Sequence, residues 1–515
     1  EQHFFMISVG AWPVSSVLCA SMPDPSFTSL IPVFVTLIVA LTVRNVLVGL
    51  FSGVFVGVAM VADTSMLLFV PTLVRHHIVP EVADTYNASV LVLLVFIGGF
   101  VKLIEFSGGG TAFAAVAARW VAGKARAQLA SWAGGIMIFF SDLGTPLIVG
   151  PVFQPLTDRL HISRQKLAFI LDSTSSPVAI LIPFIGWGVF IMSVIADAFS
   201  AADIEMSEWD AFVSAIPFQL YAWLAIAMVP ALTLLKFDYG SMAVAERNAA
   251  MNPPSEIESP AVEHSNAKPI LVWLPLLVLG LTLFATLNHY GFPFEQVAGS
   301  DFRAGLSAAY FLAAVVLVVL MVSMRVQGLL STFGRYIDGM TGMMPIAATL
   351  VLAWTLGSVS ETLGTGAYVA ELARNGLPSG LLPAVAFLLA AIISFATGSS
   401  WGTIIIMMPL AIPAAIATGA PLPIVIGAVL SGGLFGDHSS PISETTILSA
   451  TGAGTTPLEH FRTQLPYALT NGAIAFFGFI VAGLTQIDWI LLLVVTTQFA
   501  TLWLLRSRQS KVDSA

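Results

Sequence analysis

The sequence predicts an all-α, polytopic membrane protein made of two inverted-topology repeats with broken helices. Three observations carry this: an apolar composition, a polar interval near mid-chain, and a Gly/Pro-marked segment that occurs once on each side of it. Of 515 residues, 57% are apolar and 10% charged, with a mean hydropathy of +0.90, whereas soluble domains carry about 25% charged residues. Such a chain needs lipid as its solvent. The lack of apolar/polar alternation excludes a membrane barrel. The net charge of -9 arises from 29 acidic and 20 basic residues, and no basic run suits a nucleic acid. A single cysteine, Cys19, excludes an internal disulfide framework.

Taken in order, residues 1–26 include the apolar stretch Phe4 to Ala20, which has no basic flank. It reads as a signal segment, an extra short helix or a remnant outside the fold. Residues 27–236 read as the first membrane repeat. Within it, Ser29 to Val43 and Val46 to Val61 approach the ~20 apolar residues that cross a bilayer as a helix. Residues 237–268 read as a cytoplasmic linker, because Pro253-Pro254 and the polar run ending at Lys268 interrupt the hydropathy. Residues 269–484 form the second repeat, starting with Leu271 to Leu287, and residues 485–515 an extra C-terminal helix and cytoplasmic tail.

The repeat is read from FFSDLGTPLIVGPVFQP and FATGSSWGTIIIMMPLAIP. Gly144-Thr145 matches Gly402-Thr403, Pro151 matches Pro409 and Pro155 matches Pro413, all at an offset of 258 (402 − 144). After a six-residue insertion, Ser175-Ser176-Pro177 matches Ser439-Ser440-Pro441 at 264 (439 − 175). Shared order and spacing point to duplication. Lysine and arginine in short loops favour the cytoplasmic side. Arg44, Lys124 with Arg126, Arg325 with Arg335, Arg462 and the tail from Arg506 to Lys511 mark the inside. The acidic Asp197 to Asp210 and the nearly base-free Asn288 to Asp301 mark the outside. The helix over Val46 to Val61 then runs outward and its counterpart, Gly305 to Val322, inward. Related halves of opposite sense suit alternating access to one midplane site.

A polar or Gly/Pro-rich interruption within an apolar run must line a cavity or be buried in protein, since lipid satisfies no backbone group. Four stand out, two per repeat at equivalent positions: Ser141-Asp142-Leu143-Gly144-Thr145-Pro146, Asp172-Ser173-Thr174-Ser175-Ser176-Pro177, Thr397-Gly398-Ser399-Ser400-Trp401-Gly402-Thr403, and Gly436 to Thr446. Their hydroxyls, freed carbonyls and carboxylates are hard oxygen ligands for a small cation, with sodium the natural candidate. The expected cation and proton site comprises Asp437, Asp142, Asp172, Glu444, His438, Ser439, Ser440, Ser443 and Thr445. Contacts to a substrate or second ion are expected from Ser141, Thr145, Ser173, Thr174, Ser175, Ser176, Thr397, Ser399, Ser400, Trp401 and Thr403.

A charge at a helix centre costs about 2.5–3.5 kcal/mol even on the mildest scale, so these carboxylates need a reason. The plain reading is pairing with a buried base or capping of a broken helix. The functional one is a buried carboxylate that trades a proton for a cation, and Asp437 is the first choice for it. His438 reads equally as a pH-responsive group or as a histidine bonded to a broken helix. Lys102 and Glu105, three apart, neutralise one another. Glu361 falls near the repeat image of Glu105 (361 − 258 = 103) and reads as scaffold. Trp401 reads as packing or an interfacial anchor, with a cation-facing role as the sharper alternative.

The run Gly436-Asp437-His438-Ser439-Ser440-Pro441-Ile442-Ser443-Glu444-Thr445-Thr446-Ile447-Leu448-Ser449 resembles the signature of the NhaC family of sodium/proton antiporters, within the ion transporter superfamily. Thr397 to Thr403 is similar to that family's TGTSWGT segment, and His460 to Tyr467 resembles the segment that follows. The likeness spans about Phe27 to Gly483. It implies cation-coupled secondary transport, re-entrant hairpins and broken helices, and homodimers held by a scaffold domain. Glu444 stands where the family commonly has aspartate, and Ser440 where relatives often have cysteine. The expected function is exchange of sodium for protons across the cell inner membrane, by a multi-pass protein whose partners are the bilayer and a small ion or molecule. No cofactor beyond sodium ion and proton is expected. The alternative is a sodium-coupled symporter or exchanger of a small organic acid or amino acid, with the substrate carboxylate at a half-helix N-terminus near Ser175 to Val178 or Ser440 to Ser443. An intramembrane enzyme is disfavoured, because neither a Gly-x-Ser/His pair nor Gly-x-Gly-Asp occurs intact.

Overall fold

A computed structural model describes residues 26–43, 45–62, 65, 67–118, 123–140, 142, 144–202, 204–251, 266–291 and 299–512. The stretch Phe4 to Ala20, Arg44, Ser141 and linker residues 252–265 lie outside the described residues. Those described form helices joined by short breaks, and eight of the helices are long and apolar enough to cross a bilayer. This is an all-α, multi-pass membrane fold. The three apolar stretches become the helices Ile31–Val43, Val46–Val61 and Ile270–His289. Asn45 starts the second of them, its side chain accepting from the Val48 backbone N–H, which satisfies a donor the helix cannot.

Helix boundaries recur across the two halves. Helices starting at Thr85, Gly109, Lys124 and Gly144 are followed, in the same order, by helices starting at Met344, Thr365, Leu382 and Ser400, offset by 256 to 259 residues. The six-residue insertion is a helix extension: Arg164–Thr174 has 11 residues, while its image Leu422–His438 has 17. This order is consistent with inverted repeats.

In the first half, Lys124–Met137 and Gly144–Arg159 form a hairpin. At 14 and 16 residues each arm rises roughly 21–24 Å, short of the ~30 Å hydrocarbon core. The Lys124 ammonium donates to the carbonyl of His161 at 2.7 Å, so the two open ends lie together and the tip at Asp142 is internal. In the second half, Leu382–Thr397 and Ser400–Thr418 meet at Gly398-Ser399, where Gly398 takes the left-handed φ of 68° that glycine tolerates. The Ser399 hydroxyl accepts from the Gly402 N–H and restarts the helix.

The acidic stretch from Asp197 to Asp210 is not one loop. Gly186–Ala201 continues through Asp197, and Ser207 caps a new helix, Glu208–Ala215. One acid of this stretch, Glu208, has a counter-charge at this end. Arg303 pairs with Glu208 at 3.0 Å, donates to the Ser89 hydroxyl and lies over the Tyr86 ring. Asn288 to Asp301 likewise overlaps two helices, since Gly299–Ser323 already includes Asp301. Lys102 and Glu105 pair at 3.5 Å, as expected.

Two helices lie outside the repeats, one within the stretch read as a linker and one in the C-terminal segment read as a helix. The described part of the linker contains the helix Gly240–Met251, with Glu246 accepting from the Ser163 N–H at 2.7 Å. The C-terminal helix Ile490–Val512 is fastened by buried Gln498, which donates to the Leu224 carbonyl and to Asn471.

Leu382–Thr397 and Leu422–His438 approach closely enough that a Cβ on Gly432 would overlap the Phe387 carbonyl. Gly432→Ala is therefore expected to lower stability by about 1–3 kcal/mol through overpacking, read as a lower thermal-unfolding midpoint in detergent. Gly280→Ala is the control, since no atom lies within 4 Å of that Cβ position. Equal midpoints for the two variants would contradict the close crossing.

Candidate functional site

All four polar interruptions are breaks between helices, and the two halves bring them together. Leu422–His438 ends at the fourth break, and Glu444–Ala453 resumes after it with Ser443 as its N-cap residue. Asp437, in the last turn before the break, is buried. Its Oδ1 accepts from the Ser443 hydroxyl at 2.7 Å and its Oδ2 from the Thr445 hydroxyl at 2.8 Å. The two hydroxyl oxygens are 3.0 Å apart. Among the described residues, no Lys or Arg lies within ion-pairing distance of Asp437. The carboxylate is thus held by neutral donors in a buried place, where its charge calls for a proton or a cation. Ser439 Oγ, Thr446 Oγ1 and His438 Nε2 are buried on the same break without hydrogen-bond partners. The Ser440 hydroxyl accepts from the Ile442 N–H within the turn. Glu444 differs: its side chain is exposed at the N-terminus of Glu444–Ala453, where a negative charge is favoured by the helix dipole.

Asp172 is fully buried in the second break, on the first-half helix Arg164–Thr174, and its partners come from the second half. The Ser449 hydroxyl donates to Oδ1 at 3.2 Å and the Gln464 amide to Oδ2. His460 Nε2 stands 3.5 Å from Oδ2 without hydrogen-bond geometry. Gln464 Nε2 also donates to the His438 carbonyl at 3.1 Å, which joins this centre to the break that carries Asp437. On its other side the His438 ring meets the Tyr221 hydroxyl at 3.4 Å.

Asp142, at the tip of the first hairpin, accepts from Trp187 Nε1 at 2.6 Å and from the Ser176 hydroxyl at 3.5 Å. The Trp187 and Phe190 rings in turn pack on Trp401, at the tip of the second hairpin, with centroids 4.4 and 4.3 Å away. Trp401 is therefore linked to the first tip through Trp187 of Gly186–Ala201. The remaining hydroxyls serve the breaks themselves. Thr145 donates to the Ile138 carbonyl, Thr174 to Ile170, Ser175 to Asp172, Thr397 to Ile393 and Thr403 to Ser399. Ser173 and Ser400 are buried beside them.

The residues missed in the sequence are Tyr221, Trp187, Ser449, His460 and Gln464. Ser449, His460 and Gln464 fall in the two runs that resemble the family, Gly436 to Ser449 and His460 to Tyr467, but the resemblance alone gives them no part. The four-residue spacing of His460 and Gln464 on Pro457–Thr485 puts both on one helix face. Nothing local singles out Tyr221 or Trp187.

Comparison with known proteins agrees with this architecture. The Na+/H+ antiporter family matches residues 178–484. An uncharacterised protein of Haemophilus influenzae is 32% identical over 478 residues, 89% of this chain and 91% of that one. The malate-2H(+)/Na(+)-lactate antiporter of Bacillus subtilis is 35% identical over 142 residues, 27% of this chain and 30% of that protein. In fold alone, the crystal structure of the Alcanivorax borkumensis YdaH transporter is similar with a TM-score of 0.54, at 15% identity, over 89% of this chain and 98% of that one. Match length and near-full-length relatedness together give the assignment: this chain belongs to the Na+/H+ antiporter family.

Proposed function

We propose that the protein exchanges sodium for protons across the inner membrane by alternating access, with sodium held by Asp437, Ser443 and Thr445. The observation that carries this reading is the buried Asp437 carboxylate, bonded to two hydroxyls and, among the described residues, paired with no Lys or Arg. Three hard oxygen donors suit a small alkali cation. A proton on the carboxylate neutralises the same charge, so the two ions compete for one place. The domain reading of two membrane repeats around a cytoplasmic linker places this centre where breaks from both halves meet, and loop charge sets its orientation. Assembly as a homodimer is retained from the family resemblance as part of the proposal.

The test is a purified, reconstituted protein in vesicles with an imposed pH gradient. Sodium is expected to collapse the gradient and potassium to leave it. A second reading, exchange of a small organic acid, draws on the partial likeness to the malate/lactate antiporter. A gradient that survives sodium addition, together with sodium-driven uptake of labelled malate or lactate, would decide for that reading and against ours.

A further inference from the structure

Resting on the sodium site at Asp437, we propose that sodium has a second binding position beside it, formed by the Thr446 and Ser449 hydroxyls and Asp172 Oδ1, through which the ion passes toward the base-rich end of the protein. Its ground is a row of hydroxyls along Glu444–Ala453. Ser443, the N-cap residue of that helix, is followed at intervals of three by Thr446 and Ser449. This spacing puts all three on one face, and each step along it rises about 4.5 Å. All three side chains are fully buried. The Ser443 hydroxyl donates to Asp437 Oδ1 at 2.7 Å and the Ser449 hydroxyl to Asp172 Oδ1 at 3.2 Å, so the row joins the two buried carboxylates.

The middle of the row is different. Thr446 Oγ1 is buried and, among the described residues, has no hydrogen-bond partner. A helical threonine ordinarily returns its hydroxyl to a carbonyl one turn back. Thr451, on the same helix, does so with the Ile447 carbonyl at 2.8 Å. A buried hydroxyl without a partner is costly, and valine would fill the same volume without that cost. An oxygen held between two carboxylates is suited to a cation. The Thr446 and Ser449 hydroxyls with Asp172 Oδ1 are three hard oxygens, the same kind of set as Asp437 with Ser443 and Thr445. A hydroxyl that donates its proton to a carboxylate keeps lone pairs for an ion, so Ser443 and Ser449 each serve both. Asp172 Oδ2 is occupied elsewhere, by the Gln464 amide.

The row also has a direction. Glu444–Ala453 ends at Gly454, which lines a cavity of about 970 Å³ at the base-rich end. The carbonyl end of a helix carries partial negative charge, which favours a cation moving toward it. The arginines in the cavity wall are offset: Arg164 pairs with Asp158 at 2.9 Å, and Glu459 stands in the same wall as Arg462. An ion that leaves Asp437 along this face meets Thr446 and then Asp172 before it reaches solution.

The test separates passage from binding. Thr446→Val keeps the shape and removes the hydroxyl. In reconstituted vesicles its exchange rate at saturating sodium is expected to fall about tenfold or more, because a group that meets the ion only in transit acts on turnover. Apparent sodium affinity, read as sodium-dependent thermal stabilisation of the purified full chain, is expected to stay within about threefold of wild type for the same reason. Without sodium, the unfolding midpoint of this variant is expected to equal or exceed that of the wild type, since an unpartnered buried hydroxyl is gone. Thr446→Ser restores the hydroxyl and is expected to recover exchange. Wild-type exchange in Thr446→Val overturns the proposal. A parallel loss of sodium affinity overturns it too, because Thr446 then belongs to the Asp437 ion itself. So does a lowered sodium-free midpoint with exchange lost in both variants, the result of a purely structural threonine. Failure of the Asp437 site is read separately, as exchange that persists in Asp437→Asn.

Discussion

In Asp437→Asn, collapse of a pH gradient by sodium is expected to fall to background while the protein remains folded. The amide matches the carboxylate in size and keeps an oxygen for one of the two hydroxyls. What it removes is the charge, which both a proton and a sodium ion need. Asp437→Glu keeps the charge one methylene out of place and is expected to retain weakened exchange. Ser443→Ala and Thr445→Ala each delete a hydrogen bond to a charged group, worth about 1.5–3 kcal/mol, and so about 10- to 100-fold in apparent sodium affinity. The measurement is vesicle fluorescence against sodium concentration. Full wild-type exchange in Asp437→Asn would remove this residue from the mechanism.

Asp238→Ala is expected to be the most destabilising single change outside the site. The Lys166 ammonium is fully buried and pairs with Asp238, which also accepts from the Tyr467 hydroxyl. It sits 5.4 Å from the centroids of both the Phe169 and Tyr467 rings. Removing the carboxylate leaves a cation buried among aromatic rings without its paired anion, a loss of about 3–5 kcal/mol. Lys166→Met with Asp238→Leu removes both charges and is expected to recover much of it, because the pair's attraction largely offsets its own desolvation. Thermal unfolding in detergent checks both. A double variant as unstable as Asp238→Ala would show that Lys166 is held by something other than this pair.

Much of the site was legible because broken helices announce themselves in one dimension. Asp437, Ser443 and Thr445 are close in the chain, so a helix end and the next helix start bring them together with little help. The matched hairpins were legible for the same reason: Gly398 and the Pro pairs are local conformational instructions. Asp172 was visible as a buried acid, but its partners Ser449, His460 and Gln464 lie 277 to 292 residues away. No spacing rule reaches that far. Glu444 shares the motif of the site carboxylate Asp437, yet its side chain is exposed while its chain neighbours Ser443, Thr445 and Thr446 are buried.

Loop charge identified the acid-rich end without fixing where helices stop there. Asp197 lies within Gly186–Ala201 rather than in a loop, and composition cannot report where that helix stops. By itself the sequence determined the membrane class, the helical breaks, the duplicated order and the family, since hydropathy, Gly/Pro placement and motif spacing are properties of neighbours along the chain. Only the tertiary structure decided that the hairpin tips are linked through Trp187 and Trp401 and that the Asp172 centre is completed by the other half. Such pairings depend on which helix ends the packed bundle brings within about 3 Å of each other, the reach of a hydrogen bond.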